Sequence, residues 1–184
     1  MTGSSTAYTT LMSVAINARH AASGLPAQTG IKRSWSGIGF ILFGERFVAP
    51  MGEVSELLEL PHYAHLPGAQ AWVLGLANVR SRLLPLIDMA AFLDGQLDAL
   101  RRKRRVLVIE TEQIYSGLIV DQVVGMQHLL ADSYVPTIAV EASVAMLPYL
   151  QGSLRDDSGS DWTVFSPWAL VRDAKFSKPE SIYA

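Results

Sequence analysis

The 184-residue sequence contains no cysteine. That excludes disulfides, thiolate metal sites and cysteine nucleophiles, and it suits a reducing compartment. Charge is also sparse: 17% of residues are charged, 49% are apolar, and the formal net charge is −2. A chain devoted to nucleic acid or to an anionic membrane surface usually carries a basic excess, so the balance argues against both roles. No apolar run reaches the roughly 18 residues of a membrane-spanning helix, so no direct membrane insertion is expected. The first residues lack a basic stretch followed by an apolar one, the mark of a secretory signal, which leaves the cytoplasm as the expected location. At this length a folded chain buries roughly 70% of the surface its unfolded form exposes. The apolar excess therefore fits a large core, or apolar surface reserved for partners.

Signatures of catalysis are missing as well. There is no G-x-S-x-G elbow, no G-x-x-x-x-G-K-[ST] loop and no H-E-x-x-H pair. The glycines of GIGFILFG (residues 37–44) lie in a strand pattern, with the wrong spacing for a dinucleotide turn. His62 and His65 are three apart, but Pro61 and Pro67 make their segment a loop, and no further ligands lie nearby in sequence. No metal and no cofactor are expected. Asp88, Asp94 and Asp121 each follow an apolar run, where aspartate commonly caps the next helix or turn. An enzyme would need two of them, such as Asp88 and Asp121, together in a substrate-sized pocket.

What the sequence does hold is a series of short segments of period two. After a Ser/Thr-rich start, residues 11–28 predict a helix, with Leu11, Ala15, Ala18 and Ala22 at helical spacing and Gly24 and Pro26 ending it. Strands are predicted over residues 37–43, 72–79, 83–88, 106–110 and 115–126, with a last hairpin over 147–154 and 161–167. Residues 53–60 fit a strand or a helical turn equally well. Residues 132–141 read as a polar connection, 89–93 as a helical turn and 168–176 as a closing helix. Residues 75–93 and 152–171 echo each other: glycine, strand, polar turn, strand, aromatic-bearing helical start. Many short strands with polar turns argue for small barrels rather than a layered α/β sheet.

Two local features call for a function. RRKRR (residues 101–105) is the only charge run, and it leads directly into an apolar strand. It reads as a solvated turn or as a contact for an acidic partner. A small-barrel nucleic-acid binder using this run is the alternative function, though no aromatics are interleaved with the cations as a stacking platform requires. GLANVRSRLLPLIDM (residues 75–89) is the second. With alternating side chains, Leu74, Leu76, Asn78 and Arg80 share one face of a strand that emerges at a rim. Pro85 cannot donate to a ladder, so its strand is expected at an edge or at a bulge. Arginine beside apolar surface is a typical interface anchor.

The string Asn78-Val79-Arg80-Ser81-Arg82-Leu83-Leu84-Pro85-Leu86-Ile87-Asp88 resembles the signature of CheW-type chemosensory adaptors. That signature reads Asn-Leu/Ile-Arg-Gly, two or three apolar residues, Pro, two more, and Asp. ERFVAPMGEVSEL (residues 45–57), YSGLIVDQVVGM (115–126) and the YLQGSL and WTVFSPWAL segments resemble further family segments, in family order. GLPAQ and WSGIGF are similar to the pilus-linked, PilI-like branch, which governs twitching motility.

The resemblance implies a mainly β fold of two small five-stranded SH3-like barrels sharing a hydrophobic interface, with short N-terminal and C-terminal helices. It implies an N-terminal extension over residues 1–34, a CheW-like domain of two intertwined lobes over 35–176 and a tail over 177–184. It implies a non-catalytic adaptor that joins the cytoplasmic tip of a methyl-accepting chemoreceptor to the regulatory domain of a histidine kinase. Such an adaptor is cytoplasmic and recruited to membrane-bound receptor arrays. Residues matching the family's receptor groove are Val54, Glu56 and Arg80, with Asn78 in the same motif. Ser81 and Arg82 are candidate partner contacts. Ser81 stands where the family has glycine, so the turn either keeps φ negative there or carries strain. Arg82 doubles the positive charge at the turn.

Overall fold

The computed structural model describes residues 34–98, 100–138, 140 and 143–177. The helix expected over 11–28 lies outside these residues. Eleven strands dominate: β1 (Ser34–Leu42), β2 (Glu45–Pro50), β3 (Glu56–Glu59), β4 (Tyr63–Ala64), β5 (Val73–Val79), β6 (Arg82–Asp88), β7 (Arg105–Glu110), β8 (Tyr115–Val120), β9 (Gln122–Val135), β10 (Leu150–Asp156) and β11 (Asp161–Phe165). Among the described residues, three α-helical pieces are short: α1 (Met89–Phe92), α2 (Pro167–Val171) and α3 (Ala174–Ser177). The closing helix expected over 168–176 is therefore two pieces, α2 and α3. The polar connection expected from residue 132 begins later, because β9 continues to Val135 and pairs with β10 across Ser153.

The strands form two lobes. In the first, β1-β2-β11-β10-β9 close into a barrel. In the second, six strands run β3-β7-β8-β6-β5-β4. The two outer strands of that sheet, β3 and β4, are consecutive in the chain and separated only by Leu60, Pro61 and His62. Proline removes a ladder donor, so one closing strand is split into two pieces. Counting them as one gives the five-stranded plan of the first lobe, where β9 plays the same part unbroken.

The lobes repeat one design. Hairpin β1-β2 corresponds to β7-β8, and hairpin β10-β11 to β5-β6. Each second hairpin lays its last strand parallel to the first: β11 against β2 at Thr163 and Phe47, β6 against β8 at Leu86 and Gly117. Gly152 in β10 (φ +116°) and Gly75 in β5 (φ +147°) each sit at a register shift. A Cβ on Gly75 would collide with the Ala64 carbonyl, and one on Gly152 with the Val135 carbonyl. Only glycine fits either bend. Each hairpin then ends in a capped helix, where Asp88 accepts from Ala91 N at 2.9 Å and Ser166 accepts from Ala169 N at 3.2 Å. The sequence echo is thus the trace of a structural repeat.

Alternation within strands explains the apolar composition. Phe47 and Ala49 of β2, Leu107 and Ile109 of β7, and Leu118 and Val120 of β8 enter the largest core cluster, which draws on both lobes. Their neighbours turn the other way. Val48 joins Leu129, Leu154, Trp162 and Val164 inside the first lobe, while Val106, Val108 and Ile119 join Ala77, Leu84 and Leu86 inside the second. Strands buried on both faces read as continuous apolar runs.

A chain of aromatic rings crosses the shared core. Phe40 stacks on Phe47 at 5.6 Å, Tyr149 meets Phe165 at 6.1 Å, and Phe92 lies 6.4 Å from Tyr149 and 5.2 Å from Trp72. Glu53, between β2 and β3, accepts from Ser166 Oγ at 2.7 Å and Trp168 N at 2.9 Å, pinning the start of α2.

Two predictions come from this architecture. Phe92→Ala empties the middle of the ring chain and should lower the unfolding free energy by about 3–5 kcal/mol in urea titration. The second concerns Asp156 at the β10-β11 tip. Burial opposes its ionisation, but hydrogen bonds from Ser158 Oγ, Trp162 Nε1, Ser160 N and Ser158 N outweigh it and hold the pKa at about 2. A folded value below the unfolded one of about 3.9 means that the stabilisation is full above that pH and is lost as pH falls towards 2. Asp156→Asn should therefore flatten the decline of stability between about pH 4 and 2, read from urea midpoints at stepped pH.

Candidate functional site

The β5-β6 hairpin turns in two residues, with Val79 paired to Arg82. Such tight hairpins favour positive φ at both central positions, because that twist matches the strands. Arg80 has φ +50° and Ser81 +64°. Neither is glycine, and the left-handed region costs an ordinary residue about 1–2 kcal/mol. The turn at Ser81 is thus the strained alternative of the two. The strand ends at Val79, so period-two alternation does not carry Arg80 onto the face of Asn78. This corrects the expected shared face. Asn78 is exposed at the end of β5, opposite Leu83.

The bent turn aims Arg80 across the end of the second lobe. Its Nη2 donates to Glu56 Oε1 at 2.5 Å, joining the turn to the start of β3. The Arg80 side chain is 77% exposed and that of Glu56 26%. An ion pair so placed contributes about 0–1 kcal/mol. Arg82 points to the neighbouring β7-β8 tip. Its Nη1 donates to Glu110 Oε1 at 2.8 Å, and its guanidinium lies 3.8 Å from the Tyr115 ring centroid. The Glu110 hydrogen bond and charge hold Arg82 above its ordinary pKa, against a smaller opposing effect of burial. Leu83 is 65% exposed and Leu57 39%. The lobe end thus combines two arginines, two glutamates and one tyrosine with exposed leucine on the strands that carry them.

The other sequence-named residues fall as follows. Val54 is half-buried and packs on the shared core. Ser55, beside it, donates to the Val108 carbonyl from both N (2.8 Å) and Oγ (2.9 Å), fixing the path that brings Glu56 to Arg80. Pro85 is on neither an edge strand nor the hairpin's bulge, since β6 pairs with both β5 and β8. The two-residue turn makes Val79–Arg82 a hydrogen-bonded pair, so Leu76–Pro85 is a non-bonded one. The missing N–H of Pro85 therefore faces away from β5, at a point before the pairing with β8 begins at Leu86. His65 lies edge-on against Tyr63, at 5.3 Å between ring centroids.

Asp88 and Asp121 lie near enough for the Asp121 charge to act on Asp88, so simple separation does not dispose of them as a pair. Burial foremost, with that charge as a minor contribution, raises the Asp88 pKa, against hydrogen bonds from Ala91 and Ala90 and the charge of Arg104. Both carboxylates serve the backbone: Asp88 caps α1 and Asp121 accepts from Phe43 N at 3.1 Å.

Residues 36–175 match the CheW-like domain family. The chain belongs to that family. It is 45% identical to protein PilI of Pseudomonas aeruginosa over 171 residues, which cover 93% of this chain and 94% of PilI. It is 26% identical to the chemotaxis protein CheW of Helicobacter pylori over 85 residues, 46% of this chain and 52% of that protein. The crystal structure of the scaffolding protein TtCheW from Thermoanaerobacter tengcongensis superposes with a TM-score of 0.64 at 16% identity, covering 83% of this chain and 98% of that one. At that identity the likeness shows the fold, and the fold is the two-lobed one described above.

Glu110 and Tyr115 were not singled out in the sequence. Their signal is a glutamate ending the apolar run of β7 and a tyrosine beginning β8, paired across the tip. Nothing in the sequence tied that tip to Arg82.

Ser81→Gly would place glycine at a position whose positive φ favours it. It should raise the unfolding free energy by about 0.5–1 kcal/mol, the relief of left-handed strain less the greater freedom of glycine in the unfolded chain. A chemical denaturation midpoint measures it.

Proposed function

We propose that this CheW-like protein is a non-catalytic adaptor, coupling a chemoreceptor's cytoplasmic tip to the regulatory domain of a histidine kinase. Its receptor site is the lobe end built by Glu56, Asn78 and Arg80, with Val54 supporting it from the core and Ser81 and Arg82 shaping the turn. The observation that carries the reading is the Arg80–Glu56 contact between two segments that are separate in sequence. It leaves a highly exposed arginine on a strained turn, near exposed Leu83. So weak an intramolecular pair can be exchanged for a pair with a partner at little loss. The capping and backbone-binding roles of Asp88 and Asp121 support the absence of catalysis.

The proposed setting is a pilus-linked system controlling twitching motility, at membrane-bound receptor arrays in the cytoplasm. The near full-length likeness to PilI supports it. In this reading residues 35–176 form the adaptor domain, residues 1–34 an extension and 177–184 a tail. The adaptor shifts kinase activity because it binds the active and inactive arrangements unequally.

Calorimetry with a co-encoded kinase's regulatory domain and with a receptor tip fragment tests the proposal. Saturable binding of both, at micromolar affinity or tighter, is expected. Arg80→Ala should weaken receptor binding by about 2 kcal/mol or more, the loss typical of an interface hot spot. Unchanged receptor affinity in a folded Arg80→Ala protein would remove Arg80 from the site. Failure of the folded protein to bind either partner would remove the adaptor function itself.

A further inference from the structure

The basic run at residues 101–105 lies at the opposite end of β7 from Glu110, about 17 Å away along the strand. It has no part in the receptor site. Arg101, Arg102 and Lys103 form a single 3-10 turn, and none of the three is buried. Arg105 is held in place, its Nη1 donating to the carbonyls of Arg102 (3.0 Å) and Arg104 (2.9 Å), with Glu59 3.5 Å from its Nη2. Arg101 covers the ring of Tyr63 at 5.2 Å. Among the described residues, the side chains of Arg102 and Lys103 have no acidic partner.

Two open clefts meet at this turn. Arg102, Lys103 and Arg105 line one with Gln122 and Val123 of β9. Leu100, Lys103 and Ile41 line the other, with Gly44, Asp98, Asp121 and Gln122. Leu100 is 60% exposed. The surface is therefore cationic on one side and apolar on the other, with the exposed Asp98 carboxylate beyond and Asp121 buried beneath.

We propose that this turn is a docking surface for an acidic segment of a partner protein, one that carries apolar residues among its carboxylates. The acids face Arg102 and Lys103, and an apolar side chain covers Leu100 and Ile41. A continuous polyanion fits less well. Nucleic acid or a layer of anionic lipid headgroups would meet the exposed Asp98 carboxylate at the second cleft. The ring beside the run, Tyr63, lies under Arg101 and is not free to stack on a base.

The test uses the full chain and fluorescence anisotropy at low salt. The probes are a short labelled peptide of alternating Glu and Leu, a Gln-for-Glu version, a Ser-for-Leu version, a random single-stranded DNA oligonucleotide and phosphatidylserine vesicles. The Glu/Leu peptide should bind and both altered peptides should bind more weakly, with affinity falling as salt rises. Arg102→Glu with Lys103→Glu should weaken it by about tenfold or more, as expected for reversing two contact charges. Leu100→Ser should weaken it several-fold. Receptor-tip binding should be unchanged in both variants, which separates this surface from the Arg80 end. Circular dichroism checks the fold, and the milder Arg102→Gln with Lys103→Gln pair should give a smaller loss of the same sign. Tighter binding of the oligonucleotide or the vesicles would overturn the proposal in favour of that ligand. Absence of peptide binding, or binding indifferent to charge reversal, would overturn it outright.

Discussion

The burial of strands on both faces is the constraint on which the rest of the molecule depends. Two barrels of this size enclose little volume. The interior of the second lobe centres on Ala77, Leu84, Leu86, Val106, Val108 and Ile119, and that of the first on Val48, Leu129, Leu154, Trp162 and Val164. Neither cluster is large enough to stabilise a domain well, since small domains bury too little of their surface. The larger cluster, shared by the lobes, supplies what each lacks, and the chain of rings from Phe40 to Trp72 and Phe176 runs through it. A charge placed at Phe47–Ala49 of β2, Val106–Ile109 of β7 or Leu118–Val120 of β8 would have no water to face on either side. These enclosed runs contribute to the sequence's apolar share of 49%.

That constraint also dictates what remains for function. With both faces of the central strands enclosed, the polar and charged residues are driven to hairpin tips, connections and outer strands. The β5-β6 and β7-β8 tips stand side by side because β6 runs parallel to β8, and their charges pair across the gap as Arg82 with Glu110. The repeat puts the β10-β11 tip at the equivalent place in the first lobe, but its chemistry differs. There Asp156 gathers hydrogen bonds from Ser158, Ser160 and Trp162, and Arg155 pairs with Asp161 within the same hairpin. One tip satisfies itself, while the other reaches across to its neighbours.

Much of this was legible in the sequence wherever local pattern and tertiary environment agreed. The apolar runs of β1, β7 and β8, the paired glycine-strand-turn-strand units and the cap at Asp88 follow from local pattern alone. The signature around residues 78–88 pointed to the family. What was hidden depended on partners remote in sequence. β9 continues through Asp132 and Ser133 because Ser133 Oγ donates to the Leu130 carbonyl and accepts from Arg155 N, which a polar string does not announce. Residues 53–60 were ambiguous until β7 offered Val108 and Leu107 as ladder partners. The alternation that placed Arg80 beside Asn78 failed where the strand gave way to a turn, and the approach of Glu56, 24 residues earlier, had no local sign.

The geometry of the turn also explains how a weak contact can hold a specific position. Two successive residues at positive φ destabilise the turn, and an exposed ion pair does not offset that alone. The stability comes from beneath, where Val79 and Tyr115 pack on the second-lobe interior and Ala77 and Leu84 lie buried within it. The core therefore fixes the backbone, while the side chains of Arg80 and Glu56 are held to each other by little. A surface organised in this way can trade internal contacts for external ones without disturbing the fold. A rigid scaffold under loosely paired charges is what a protein needs if its action is to bind neighbours and to favour one of their arrangements over another.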